Sequence, residues 1–93
     1  MQDEAAGGAE KRHLLLADGS LVLASINVRS FRRAKQLYGY LQFKHMGKTV
    51  TRYVGSVTAD SKQKSLELGW ALVRTKQTAE ANGWTWGSPK AKG

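Results

Sequence analysis

The chain has 93 residues and a formal net charge of +8, and 41% of its residues are hydrophobic. That predicts one small domain able to bury a modest core. It has no cysteine, so a disulfide frame and a zinc knuckle are excluded. No run is long enough for a membrane span or for the apolar stretch of a signal peptide, so a cytoplasmic protein is expected.

The first ten residues, MQDEAAGGAE, hold Asp3, Glu4 and Glu10 and no base, so residues 11–93 carry +11. Their small, acidic character predicts a disordered tail over 1–10, ahead of one globular domain over 11–87. Asp18-Gly19 separates two apolar runs, a strong hairpin signal, and predicts paired strands over 12–17 and 20–28. Val22, Ala24, Ile26 and Val28 then share one face. Residues 29–36, RSFRRAKQ, break the alternation and hold four bases, which reads as a loop or short helical turn able to clamp phosphate.

Two period-2 runs follow in LYGYLQFKHMGKTVTRYVG, on either side of Met46-Gly47. With those two residues as the loop, His45 faces Lys48, Lys44 faces Thr49, Gln42 faces Thr51 and Tyr40 faces Tyr53. On the other side Phe43 faces Val50, Leu41 faces Arg52 and Gly39 faces Val54. One face becomes apolar apart from Arg52, and the other collects Lys, Gln, Thr and Tyr; a slip of one residue would undo this sorting.

A helix is predicted over 61–81, capped by Thr58 or Asp60, with Gln63 placed for a capping box. Leu66, Gly69, Trp70, Val73 and Gln77 follow helical spacing, with Leu68 and Leu72 flanking, and Gly69 allows close approach to a strand. Asn82-Gly83 is a stop signal, after which Trp84-Thr85-Trp86 folds back on the core. The end, 88–93, is a short basic tail predicted to be flexible. The expected fold class is α+β: an antiparallel sheet of three to four strands packed against one long C-terminal helix.

Catalysis finds little support. No carboxylate pair or oriented His is evident, there is no nucleophile elbow or phosphate loop, and His13 and His45 have no acidic neighbour at metal-ligand spacing. No enzyme activity, catalytic residue, metal, cofactor or small-molecule substrate is expected.

The charge distribution is sharper. Between Asp18 and Asp60 there is no acidic residue, yet Arg29, Arg32, Arg33, Lys35, Lys44, Lys48 and Arg52 all lie there. Clustered like charges call for a polyanion, and nucleic acid is the commonest. A small sheet fits the major groove of duplex DNA, where Lys and Arg reach guanine acceptors, Gln pairs with adenine and Thr touches the thymine methyl. This gives a base-contacting set of Tyr40, Gln42, Lys44, Thr49, Thr51 and Arg52, and a phosphate-contacting set of Arg29, Arg32, Arg33, Lys35 and Lys48. Two alternatives stand beside it. Tyr38, Tyr40 and Tyr53 could stack the bases of single-stranded DNA or RNA. An exposed strand edge or the Trp84/Trp86 surface could instead bind an acidic protein partner or a second copy of the chain. The oligomeric state is left open.

The succession LYGYLQFKH, MGKT, RYVG, SVTAD and amphipathic helix resembles two groups, the arm-type DNA-binding domains of tyrosine-recombinase integrases and the plant ethylene-response-factor type of DNA-binding domain. The resemblance covers roughly residues 36–75. It implies a three-stranded antiparallel sheet in the major groove braced by a C-terminal helix, with Tyr40, Gln42, Lys44, Lys48, Thr49, Thr51 and Arg52 toward the groove, and a possible origin in a mobile element. The chain departs from both groups in its extra hairpin over 12–28, in lacking the Trp-bearing strand of the plant group and in having no recombinase domain.

Overall fold

The computed structural model describes residues 1–30 and 35–87. Their fold is α+β, with two three-stranded antiparallel sheets wrapped around one principal helix. The smaller sheet has the order β2-β1-β6, from β1 (His13–Leu15), β2 (Leu21–Leu23) and β6 (Thr85–Trp86). The larger has the order β3-β4-β5, from β3 (Ser25–Ser30), β4 (Leu37–His45) and β5 (Lys48–Ser56).

The first hairpin turns at Asp18-Gly19, but only Gly19 takes a positive φ, 89°. Gly19 N–H donates to Leu16 O at 3.0 Å, and Asp18 Oδ1 accepts from Ser20 N–H at 2.9 Å, which closes the loop. The strand expected over 20–28 is not continuous. It breaks at the fully buried Ala24, whose N–H donates to Arg12 O and whose carbonyl accepts from Arg12 Nε. The chain then crosses into the larger sheet as β3. Val22, Ala24 and Ile26 stay buried through the crossing, so alternation persists while the pairing partner changes.

The second hairpin has the two-residue loop expected. Met46 (φ 53°) and Gly47 (φ 76°) are both left-handed, the geometry that matches strand twist. The pairs run as predicted from His45↔Lys48 through Tyr40↔Tyr53, and then a bulge intervenes. Gly39 faces Gly55 rather than Val54, so Val54 is the extra residue of β5. Lys76 Nζ donates to its carbonyl at 2.8 Å.

The helix α2 (Lys62–Thr75) is capped by Ser61, whose hydroxyl accepts from Lys64 N–H at 3.2 Å. Thr58, one of the expected caps, instead accepts from Leu37 N–H, and Gln63 donates to Glu67 rather than closing a capping box. The single helix expected over 61–81 is broken at Gln77 (φ 54°). The break turns α3 (Thr78–Ala81) inward and buries Thr78 and Ala79. Trp84 then meets Phe43 edge-on at 5.0 Å, and Trp86 meets Trp70 at 6.3 Å.

Gly69 lets α2 lie directly on β3. A Cβ built there would stand 2.6 Å from Ile26 Cγ2. Gly69→Ala is therefore expected to destabilise, because overpacking costs about 1–3 kcal/mol against about 1 kcal/mol of gained helix propensity. Denaturant unfolding of Gly69→Ala, Ile26→Ala and the double variant checks this: the double should be more stable than the sum of the singles implies. A more stable Gly69→Ala protein would show that Ile26 can move aside.

The expected acidic tail is corrected. Residues Gln2–Ala6 form α1, followed by a 3-10 turn over Ala9–Arg12. Ala6 joins the core. The Gln2 side-chain amide donates to Ile26 O at 2.8 Å, and its oxygen accepts from Ile26 N–H at 3.1 Å and from Trp70 Nε1 at 3.2 Å. Asp3 pairs with Arg12 at 2.6 Å. The folded unit thus starts at the first helix rather than at residue 11. The basic tail predicted over 88–93 lies outside the described residues.

Candidate nucleic-acid interface

Strand alternation divides the larger sheet into two unlike faces. Directly paired residues point the same way. Ile26↔Leu41, Phe43↔Val50 and Leu41↔Arg52 therefore belong to the side on which α2 packs. Asn27↔Tyr40↔Tyr53, Gln42↔Thr51, Lys44↔Thr49 and Arg29↔Tyr38 belong to the other. Arg29, Lys44, Thr49 and Tyr53 are exposed, and Tyr38, Tyr40, Gln42 and Thr51 are half-buried. Five of the six predicted base-contacting residues, with Arg29, are thereby brought onto one surface.

That surface is organised by its own contacts. The Arg29 guanidinium lies 4.7 Å from the Tyr40 ring centroid. Tyr40 meets Tyr53 edge-on at 5.4 Å, and Tyr38 lies 6.3 Å from Tyr53. Asn27 Nδ2 donates to Gln42 Oε1 at 2.7 Å, which steadies the Gln42 amide while leaving its NH₂ available. Asn27 was not among the predicted site residues. The signal was its alternation with Ser25 and Arg29; what the sequence hides is that this segment pairs with β4.

Arg52 does not belong to this surface, a correction to the predicted set. It occupies the helix side of β5, where its Nε donates to Asn82 Oδ1 at 2.9 Å and its guanidinium lies 5.6 Å from the Trp84 ring. An arginine on an apolar face must reach the rim to stay solvated, and Trp84 gives its stem and head a surface to lie on. Lys48 is exposed at the hairpin tip, paired with His45. Lys35 is exposed just before β4. Arg32 and Arg33 lie outside the described residues.

The strands β3, β4 and β5 hold no Asp or Glu. Among the described residues the one ion pair between permanently charged groups is Arg12–Asp3, His45 contacts Asp18, and neither contact involves Arg29, Lys35, Lys44 or Lys48. His45 Nε2 lies 3.1 Å from Asp18 Oδ2, tying the tips of the two hairpins together. Hydrogen bonds from Ser20, and then the neighbouring His45, hold the Asp18 carboxyl below its ordinary value. Among the described residues no group of three His, Cys, Asp or Glu could hold a metal ion, and no helix is long and apolar enough to cross a membrane.

The dimensions suit a groove. Nine residues per strand give β4 and β5 a length of about 30 Å. Three strands spaced about 4.8 Å place the outer two roughly 10 Å apart, against a major groove about 12 Å wide. No protein-family model matches this chain, and comparisons with curated proteins and with solved structures likewise return no match.

Proposed function

We propose that this chain is a non-enzymatic nucleic-acid-binding protein that lays the β3-β4-β5 face in the major groove of duplex DNA. The observation that carries the reading is an acid-free sheet face on which Arg29, Tyr40, Gln42, Lys44, Thr49 and Thr51 converge, with α2 packed on the opposite side. Gln42 and Lys44 offer groups for base edges, with Thr49 and Thr51 beside them for thymine methyls. Arg29 on the edge strand, Lys35 just before β4 and Lys48 at the tip would serve the phosphates, and Arg32 and Arg33 belong to the same basic segment. A three-stranded sheet braced by one helix is also what the resemblance to the integrase and ethylene-response-factor domains implies, and a role in a mobile element stays part of that proposal.

A second reading is favoured by Tyr53, which is 57% exposed. An open ring can stack an unpaired base for about 1–3 kcal/mol. The duplex reading is preferred because Tyr40 is already engaged, by Arg29 and by the edge contact with Tyr53.

Gel-shift titrations of duplex DNA, single-stranded DNA and RNA at two salt concentrations, with the native chain and Tyr53→Leu, test the choice. For groove docking, duplex binds tightest and Tyr53→Leu changes its affinity less than about threefold. For stacking, single strands bind tightest and the substitution costs about 5- to 150-fold. Failure of all three probes at low salt would overturn both.

A further inference from the structure

The larger sheet has an unfinished edge. Because the Gln2 side chain holds both the N–H and the C=O of Ile26, the Ile26↔Leu41 pair is a non-hydrogen-bonded one. By ladder alternation the N–H and C=O of Val28 and of Ser30 also point outward, away from β4. Arg12 satisfies Ala24 and Gln2 satisfies Ile26, each doing what the peptide group of a neighbouring strand would do. Among the described residues nothing does the same for Val28 or Ser30.

Beside this edge runs a groove of about 640 Å³, lined by Gln2, Ile26, Val28, Leu66, Lys44 and Lys62 among others. Its lining mixes apolar side chains with the polar Gln2, Asn27 and Gln42, its charged residues are Lys44 and Lys62, and no carboxylate lines it. We propose that the β3 edge is a docking site for an extended acidic peptide, which adds to the larger sheet as a fourth strand. The site shares Arg29 and Lys44 with the face proposed for nucleic acid, but its main-chain contacts at Val28 and Ser30 do not depend on that reading. A strand added here alternates its side chains between two environments. Those on the helix side meet Ile26 and Leu66, with Lys62 at the margin. Those on the outer side meet Lys44 and Arg29, where carboxylates are favoured. Main-chain bonds to Val28 and Ser30 supply register, and a longer strand would displace the Gln2 amide from Ile26. A second copy of the chain is a poorer occupant, because antiparallel pairing of two β3 edges would bring two Arg29 side chains together without a counter-charge.

The test uses the isotope-labelled full chain and two blocked hexapeptides, (Glu-Val)₃ and (Lys-Val)₃. The acidic probe is expected to shift the Val28 and Ser30 amide resonances, slow their hydrogen exchange and bind about tenfold tighter than the basic probe. Val28→Pro removes the outward donor at a position where an edge strand tolerates proline, and should weaken binding about tenfold. Should that variant fail to fold, Lys62→Glu carries the test, since an acid is well tolerated in the first turn of a helix; it should erase or invert the preference between probes. Equal binding of both probes would overturn the proposal, as would shifts confined to Thr49 and Tyr53. Protection of Val28 and Ser30 in a concentration-dependent dimer without peptide would overturn it in favour of self-association.

Discussion

Replacing Trp70 with alanine is expected to cost the fold about 3–5 kcal/mol, the range for removing a large aromatic side chain from a core. Trp70 is 2% exposed and is the largest fully buried side chain. It sits on the core stripe of α2, packs against Trp86 at 6.3 Å, and donates its Nε1–H to Gln2 at 3.2 Å. Removing it opens a cavity where α2 meets the N-terminal helix and the smaller sheet, and leaves the Gln2 oxygen with one donor fewer. A domain of this size has about 5–14 kcal/mol of total stability, so a large share of it depends on one residue. The thermal midpoint should fall by about 15–30 °C, read by circular dichroism. Trp84→Ala is the control: Trp84 is only partly buried and should cost clearly less. Equal losses would mean that the core is not centred on α2. Trp70→Phe keeps most of the volume and loses one hydrogen bond, so it should fall between the two.

How far the fold was legible depends on whether local chemistry and tertiary pairing agreed. In β4 and β5 they did. Strict alternation on both sides of Met46-Gly47 left one register that sorts Lys, Gln, Thr and Tyr from Leu, Phe and Val, and that register is observed up to the bulge at Gly39/Tyr40. The bulge had no signal of its own, since Gly39 and Gly55 read equally well as ordinary strand glycines. Across Ala24 the two levels diverged. Val22, Ala24, Ile26 and Val28 alternate as one strand would, but Arg12 takes the backbone of Ala24 and the pairing passes from β1 to β4. Alternation reports which face is buried, not which neighbour is paired.

The α2 boundary failed for a similar reason. Gln77 carries no breaker signature, and its left-handed conformation serves the burial of Thr78 and Ala79. The N-terminal helix was hidden because its anchoring is polar: Gln2 completes a sheet edge and Asp3 pairs with Arg12, contacts that no hydrophobic period announces. For the candidate site, strand parity located Tyr40, Gln42, Lys44, Thr49 and Thr51 together. The same parity already placed Arg52 with Leu41 and Phe43, and its inclusion in the base-contacting set went against that pattern.

The steepest functional response should be to salt. Arg29, Lys35 and Lys48, with Arg32 and Arg33 of the same basic segment, supply five cations for phosphates, and Lys44 adds a sixth positive charge within the groove. If six to eight phosphates are neutralised, the log–log slope of affinity against salt is about −5 to −7, and raising salt from about 50 to 200 mM should weaken duplex binding about 10³-fold or more. Single substitutions should separate the two kinds of contact. Arg29→Ala removes a phosphate partner held over Tyr40, so it should weaken all duplexes alike and make the slope less steep by about 1. Gln42→Ala removes a base-edge group oriented by Asn27, so it should leave the slope unchanged and flatten the preference among sequences, at about 1–3 kcal/mol for the preferred base. Fluorescence-anisotropy titrations of a few duplexes across a salt series measure both quantities together. A slope near zero would contradict polyanion docking on this face. Identical behaviour of Arg29→Ala and Gln42→Ala would retain the electrostatics but remove base readout, because a side chain that only touches the backbone cannot discriminate sequence.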